Sequence, residues 1–114
     1  MDLKDGTHCA SVPEAWIYLQ YKKEGKQLLH DQSYGGELSS YRYDFYLINE
    51  NTYVEVTSYS NNFHGYYKKH TYVNYLRGIV KKRRYVEKVL HAKFEFIQFE
   101  PNHSQRKEVL KNRK

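Results

Sequence analysis

The pattern of apolar and polar positions first becomes regular after residue 10, where it predicts a helix. Ser11 can cap this helix, a proline suits its first turn, and Glu14 stands three residues after Ser11 in capping-box spacing. Apolar residues then recur at helical spacing, and Gly25 predicts a left-handed cap at the C-terminal end. Residues 1–10 are polar and mixed, so we expect a flexible N-terminal segment there.

The next pattern is the two-residue alternation that strands show. Residues 27–34 are a weak strand candidate, and β-favouring aromatic residues fill residues 40–48. Residues 52–58 predict a third strand, joined to the second by a turn over residues 49–51. The second and third strands therefore form a predicted hairpin.

Helical spacing returns after the hairpin and predicts two helical pieces, over about 66–76 and 79–91. The second piece has an apolar face and carries basic residues on its other sides. Residues 93–99 alternate as a half-buried strand, which Pro101 ends, and residues 102–114 form a basic C-terminal tail. The predicted element order is helix, three strands, helix, strand.

Length and charge narrow the class of protein. The 114 residues suit one domain, which we place at residues 11–101, between the flexible N-terminus and the basic tail. The formal net charge of +6 favours an anionic partner. Cys9 is the single cysteine, which excludes an intrachain disulfide, and Cys9 with His8 offers too few ligands for zinc. Because no apolar run approaches membrane-spanning length, we expect a cytoplasmic, nucleoid-associated protein with no membrane partner.

Two acidic residues on the predicted hairpin carry the candidate chemistry. Side chains alternate along a strand, so a turn of two or four residues would place Asp44 directly across from Glu55, with their Cβ atoms about 5 Å apart. Two such carboxylates repel unless a cation or a proton lies between them, and Mg²⁺ prefers oxygen ligands. The alternative is a surface hairpin in which Asp44 pairs with Arg42 or a lysine and Glu55 is solvated.

The motif formed by residues 43–47 (Tyr-Asp-Phe-Tyr-Leu) and 55–57 (Glu-Val-Thr) resembles the core of the PD-(D/E)xK nucleases. That superfamily includes many restriction enzymes, archaeal Holliday-junction resolvases, very-short-patch repair nucleases, and phage and intron homing endonucleases. Its core has the order helix, three strands, helix, strand, and often a glutamate on the first helix, where Glu14 stands. The resemblance covers residues 11–99 and implies an α/β (α+β) fold with a restriction-endonuclease-like core and a mixed central sheet.

The resemblance also implies a reaction, the metal-assisted hydrolysis of DNA phosphodiester bonds. Asp44, Glu55 and the backbone carbonyl of Val56 would bind Mg²⁺, for which Mn²⁺ would substitute, and the cation would activate a water. Glu14 would hold a second metal or a water and complete the catalytic set. The capping box alone also explains Glu14, and both roles coexist only if its carboxylate faces the hairpin.

The chain departs from the family pattern at two positions. Tyr43 stands where the family has proline, and Thr57 stands where it has the lysine that orients the attacking water. In this chain the water would be oriented by Thr57 itself, by Gln98 on the last strand, or by a lysine of the following helical pieces. The lysine candidates are Lys68, Lys69 and Lys82. A degenerate site that only binds nucleic acid is the other interpretation.

Basic residues around the second helical piece are the candidates for contact with nucleic-acid phosphates. They are Lys81, Lys82, Arg83 and Arg84, supported by Lys68, Lys69 and Arg42. A solvated helix face is the alternative. We interpret His64 and His70 as surface histidines, and the tyrosines between residues 66 and 75 as packing residues.

A metal-dependent DNA endonuclease that acts on double-stranded or branched DNA is the leading hypothesis, with phage, homing and other mobile-element nucleases as the nearest types. One chain of this size covers little DNA, so cutting both strands would require a homodimer or a fused DNA-recognition module. The alternatives are a non-catalytic nucleic-acid-binding module, a DNA-junction or repair nuclease, and an RNA-directed nuclease or toxin.

Overall fold

The computed structural model describes residues 1–58 and 66–114, without the side chains of residues 66–72. These residues form a small α+β fold with a mixed four-stranded sheet and three α-helices. In chain order the elements are α1 (Val12–Lys23), β1 (Leu28–Ser33), a short 3₁₀ turn (Gly36–Leu38), β2 (Arg42–Leu47), β3 (Thr52–Thr57), α2 (Tyr66–Lys88), β4 (Lys93–Gln98) and α3 (His103–Lys111). The predicted succession of helix, three strands, helix and strand is confirmed.

The first helix begins and ends where its sequence signals predict. The side-chain oxygen of Ser11 accepts a hydrogen bond from the Glu14 amide at 3.3 Å. Gly25 follows the last turn with a φ of +72°, a conformation that costs glycine little because it has no Cβ atom. The position of Glu14 relative to the sheet is therefore fixed by a helix start with a defined cap.

The strands lie in the order β1–β2–β3–β4. The pairs β1–β2 and β2–β3 are antiparallel, whereas β3–β4 is parallel, and α2 makes the crossover that a parallel pair requires. The hairpin pairs Leu47 with Thr52, so four residues form its turn. This even number keeps Asp44 and Glu55 in opposed positions of the two strands, as the metal-site hypothesis requires.

Side-chain alternation in the strands separates two hydrophobic clusters. Phe45 and Val54 pack in one cluster with Ala15 of α1. Tyr53 packs in the other cluster with Val86 of α2. Because neighbouring strand residues point to opposite faces, α1 and α2 cover opposite faces of the sheet.

The second helix is continuous, so the expectation of two helical pieces is wrong. The chain passes helically through Gly78, at the expected break. Ile79 and Val86 stand two turns apart and are both buried, and their packing outweighs the helix cost of a glycine, about 1 kcal/mol. No helix within residues 1–58 and 66–114 has the length and apolar character to cross a membrane.

The segments that we expected to be a flexible N-terminus and a basic tail both contribute to the core. Leu3 and Cys9 are 1% and 0% exposed, and Val109 of α3 is 0% exposed. The two segments also touch, because the Lys114 amide donates to the Asp2 carbonyl at 2.8 Å. Each segment has too few apolar residues to signal its own packing, and these residues become buried only when the segments come together.

Val109→Ala tests whether α3 belongs to the core. Removing two buried methyl groups should lower the free energy of unfolding by about 2 kcal/mol, because burial is lost and a cavity remains. Urea denaturation followed by circular dichroism measures the change. Leu110→Ala is the matched control, because Leu110 is 50% exposed and its loss should cost no more than about 0.5 kcal/mol. Equal effects of the two substitutions would contradict the placement of α3.

Candidate active site

The candidate site lies where β2 and β3 separate. Their paired register runs from Leu47 and Thr52 to Phe45 and Val54, and one further step places Asp44 opposite Glu55. At that step the contact with β3 is made by the Asp44 side chain: its Oδ2 accepts a hydrogen bond from the Val56 amide at 2.7 Å. The amide and carbonyl of one strand residue point to the same side, so the Val56 carbonyl also faces the β2 side, beside Asp44.

Glu14 reaches this point from the first turn of α1. Glu14 is 5% exposed, and its Oε2 accepts hydrogen bonds from the Ala10 amide at 3.1 Å and from His30 Nε2 at 3.0 Å. It also shares a side-chain hydrogen bond with Asp44. The carboxylate therefore faces the hairpin, while only the Glu14 amide serves the helix cap; the reciprocal bond of a capping box is replaced by the bond from the Ala10 amide.

Glu55 is held from the opposite side of the sheet. It is 3% exposed, it accepts a hydrogen bond from the Tyr34 hydroxyl at 3.3 Å, and it forms an ion pair with the Lys82 ammonium of α2. A side-chain hydrogen bond also joins Glu55 to Asp44. Asp44 therefore connects a glutamate on the α1 side with a glutamate on the α2 side.

The three carboxyl groups differ in their affinity for a proton. Burial, the charge of Glu55 and the hydrogen bond to Glu14 raise the pKa of Asp44 to about 9. Burial also raises the pKa of Glu55, although the Lys82 charge opposes this shift. Burial acts in the same direction on Glu14, but the hydrogen bonds from His30, Asp44 and the Ala10 amide together lower its pKa. Without a cation, the cluster therefore keeps a proton on Asp44 near neutral pH.

This arrangement fits a hard divalent cation. Asp44, Glu55 and the Val56 carbonyl offer oxygen ligands, which Mg²⁺ and Mn²⁺ prefer. The excess of carboxylate over the single Lys82 ammonium is the charge that a cation would offset. The surface-hairpin alternative is wrong, because Glu55 is buried and Arg42 pairs with Asp31 at 2.8 Å.

The candidates for orienting the attacking water lie in different places. Lys82 is in the cluster. Thr57 is buried at the end of β3 and pairs in register with Gln98, whose side chain is exposed. Lys68 and Lys69 lie near the start of α2, and their side chains, like that of His70, are outside the described part; His64 is outside the described residues altogether. Lys82 forms an ion pair with Glu55, one of the candidate oxygen ligands.

The basic run of α2 is divided among several faces of the helix, because successive residues are about 100° apart. Lys82 pairs with Glu55, and the Arg83 guanidinium lies over the Phe94 ring at 5.6 Å. Lys81 and Arg84 are exposed and align with two further exposed basic residues at helical spacing. We call these four the basic stripe: Arg77, Lys81, Arg84 and Lys88. Lys82 therefore faces Glu55 and not the surface that Lys81 and Arg84 share, and phosphate contact by the run stays a prediction.

Sequence reasoning missed three residues that contact the cluster or the cations of α2: His30 bonds Glu14, Tyr34 bonds Glu55, and Tyr41 lies beside two lysines. His30 stands at an inward position of a strand with weak sequence signals, and Tyr34 follows that strand just before two glycines. Tyr41 lies beside the cations of α2, with Lys81 and Lys82 at 5.2 and 5.9 Å from its ring centre. Only the register of β1 against β2, which pairs His30 with Phe45, could have indicated a polar residue at the core.

The described residues thus join Glu14, Asp44, Glu55, Val56 and Lys82 into one connected cluster built from α1, β2, β3 and α2. No family model, curated protein or solved structure matches the chain. The chemistry of the cluster is therefore the basis on which a function is inferred.

Asp44→Asn tests the protonation of the acidic cluster. The pKa of Asp44 is raised from 3.8 to about 9 in the folded chain, so the protonated form stabilises the fold at low pH and this contribution is lost as pH rises through 9. With a metal chelator present, the free energy of unfolding of the unmodified chain should fall relative to that of Asp44→Asn as the pH rises from about 4 to 9. The asparagine can keep the hydrogen bonds with the Val56 amide and with Glu14 without taking a charge.

Denaturant unfolding at several pH values measures this difference. Asp31→Asn is the control, since Asp31 is exposed and its own pairing with Arg42 lies at the surface. Parallel pH profiles for the unmodified chain and Asp44→Asn would show that Asp44 is ionised in the folded chain, against this prediction.

Proposed function

We propose that this chain is a metal-dependent DNA endonuclease that hydrolyses phosphodiester bonds. The observation that carries the proposal is the convergence of Glu14, Asp44 and Glu55 with Lys82 around the Val56 backbone. Buried carboxylates in excess over their cation are costly to a fold, and such clusters are typical of functional sites.

A restriction-endonuclease-like core is part of the same proposal. It is supported by the order of the elements, by the hairpin β2–β3, and by the parallel pair β3–β4 with α2 as its crossover. It is also supported by the position of Glu14 on the first helix, with its carboxylate turned towards the hairpin. These features agree with what the resemblance to PD-(D/E)xK nucleases implies.

The oxygen ligands of the proposed metal site are Asp44, Glu55 and the Val56 carbonyl, and Mg²⁺ is the cation that we propose, with Mn²⁺ as its substitute. Bound there, the cation would polarise the scissile phosphate and lower the pKa of a water. Asp44 would give up the proton that it holds without metal. Glu14 would keep Asp44 in position, because its own carboxylate is fixed by His30 and the Ala10 amide.

Lys82 is the residue that we assign to the role of the missing motif lysine. Its ammonium lies on Glu55, so it is within one side chain of the proposed metal ligands. From there it would orient the attacking water and stabilise negative charge that develops on the phosphate. Tyr34 would hold Glu55 from the other side through its hydroxyl.

The basic stripe is the surface that we propose for the DNA backbone. Its four exposed residues span twelve positions of α2, about 16 Å along the helix axis. Lys81 lies over the Tyr41 ring, which Lys82 also approaches, so the stripe leads to the acidic cluster. Double-stranded or branched DNA of a mobile-element or repair pathway is the proposed substrate, and one chain acting alone would nick a single strand.

Conservative substitutions in the cluster test the catalytic assignment. With supercoiled plasmid and Mg²⁺ or Mn²⁺, the unmodified chain should produce nicked circles. Asp44→Asn, Glu55→Gln and Lys82→Met should each lower the nicking rate by at least about 100-fold. The first two substitutions remove a carboxylate ligand of the metal, and the third removes the ammonium group that would orient the water. Lys107→Met is the matched control; it changes an exposed lysine of α3, outside the cluster and the basic stripe, and should keep the single-turnover rate at saturating protein.

The outcome separates the candidate functions. Unchanged nicking by Asp44→Asn would remove the site assignment. Salt-sensitive DNA binding without nicking by the unmodified chain would favour the non-catalytic binding module, which Thr57 in place of lysine makes the second candidate. Preferential degradation of RNA would indicate an RNA-directed nuclease.

Arg84→Ala tests the basic stripe separately from catalysis. The substitution should weaken DNA binding by a similar factor for all sequences and reduce the slope of log affinity against log salt by about 1. Fluorescence anisotropy with labelled duplexes at several salt concentrations measures both quantities. Arg106→Ala is the control, since Arg106 lies on α3 and pairs with Glu100. An unchanged salt slope in Arg84→Ala would exclude this residue from the DNA interface.

A further inference from the structure

A second group of potential metal ligands lies on the α1 side of the acidic cluster. Cys9, Glu14 and His30 each place one ligand atom within 4.8 Å of the others. The three residues come from the segment before α1, from α1 and from β1, so three separate parts of the fold meet here. Cys9 and Glu14 are 0% and 5% exposed, and the His30 side chain is 14% exposed.

We propose that Cys9, Glu14 and His30 form a binding site for a zinc-type transition-metal ion. The site is separate from the oxygen-ligand site proposed above. It does not depend on nuclease activity, and it would exist equally in a chain that only binds nucleic acid.

The ligand types decide which ion fits. A thiolate sulfur, an imidazole nitrogen and a carboxylate oxygen are ligands that Zn²⁺ and similar ions accept, whereas Mg²⁺ disfavours sulfur and nitrogen. Three protein ligands leave a fourth position open, as in zinc sites that keep a water. Glu14 also hydrogen-bonds Asp44, so the zinc-type site and the acidic cluster share one carboxylate.

Charge balance favours the same ion. A divalent cation bound by one thiolate, one carboxylate and one neutral imidazole leaves no net charge in the buried space. Burial raises the pKa of the Cys9 thiol to about 12, so without metal the sulfur carries a proton. Metal binding would release that proton to solvent, and the S–H bond would be replaced by a metal–sulfur bond.

The contact of His30 with Glu14 orders two of the three ligands before any ion binds. The His30 Nε2 atom lies 3.0 Å from Glu14 Oε2, a separation close to that of two ligands on one small cation. The His30 ring also stacks on Phe45, with ring centres 5.2 Å apart, which fixes its orientation. His8, next to Cys9 in sequence, instead bonds the exposed Asp2 at 2.7 Å.

Titration of the full chain with Co²⁺ tests the proposal, because Co²⁺ replaces Zn²⁺ and gives a near-ultraviolet charge-transfer band when a thiolate binds it. Cys9 is the single cysteine, so any such band must come from it. One equivalent of Co²⁺ should develop the band, Zn²⁺ should remove it, and excess Mg²⁺ should leave it unchanged. Absence of the band in the folded chain would overturn the proposal.

Substitutions assign the other two ligands. Cys9→Ser should abolish the band, and His30→Ala and Glu14→Gln should each weaken Co²⁺ binding at least about 10-fold. His8→Ala is the matched control and should bind Co²⁺ like the unmodified chain. If Cys9→Ser does not fold, His30→Ala decides the matter with the thiol intact: an unchanged affinity there would overturn the ligand set.

Asp44→Asn separates this proposal from the proposed nuclease. It should abolish nicking but keep the cobalt–thiolate band, since Asp44 is not a ligand of the zinc-type site. Loss of the band in Asp44→Asn would show that binding at Cys9 requires Asp44 and would contradict the proposed ligand set. Failure of the unmodified chain to nick DNA would leave the band, and this proposal, unaffected.

Discussion

A carboxyl group that is placed beside two others, away from bulk water, needs a proton or a cation, and in this fold Asp44 occupies that position. Its hydrogen bond with the Val56 amide requires β2 and β3 to separate beyond the Phe45–Val54 pair, on the Asp44 side. Its contact with Glu14 requires α1 to begin close to the sheet. The cap at the start of α1 and the register of the hairpin therefore become parts of the same site.

On the face of the sheet that α2 covers, a group of tyrosine side chains packs beside the site. Tyr34, Tyr43, Tyr46 and Tyr53 form a connected group of rings, with centres 4.4 to 5.5 Å apart along the closest contacts. Tyrosine can fill an apolar layer and still present a hydroxyl group at its edge. The Tyr34 hydroxyl does this at Glu55, so part of the high tyrosine content of the chain is explained by a layer that must be both packed and polar.

The parts of the fold that the sequence predicts well are those set by local rules. The hairpin follows from strand alternation and an even turn, and these alone place Asp44 opposite Glu55. The helix start at Ser11 follows from its capping residues, which also brought Glu14 into consideration. Both predictions depend on residues close together in the chain, where spacing determines geometry.

Long-range packing explains what the sequence did not reveal. Leu3 and Val109 are isolated apolar residues in polar segments, and they become core residues only because the two ends of the described chain meet. Gly78 suggested a break that helix packing overrides. The contact of Lys82 with Glu55 likewise depends on the orientation of α2 against the sheet, which no local pattern gives.

The same geometry explains why a small residue, Thr57, stands at this position of β3. By alternation it shares the α2 side of β3 with Glu55, and it is 8% exposed, so a lysine in its place would have to extend its chain through a packed layer. Lys82 brings its ammonium to that side from the helix that covers it, and this ammonium lies 5.9 Å from the centres of the Tyr34 and Tyr41 rings. A positive charge beside Glu55 is therefore available from α2, and its position is set by how that helix packs and not by the sequence of β3.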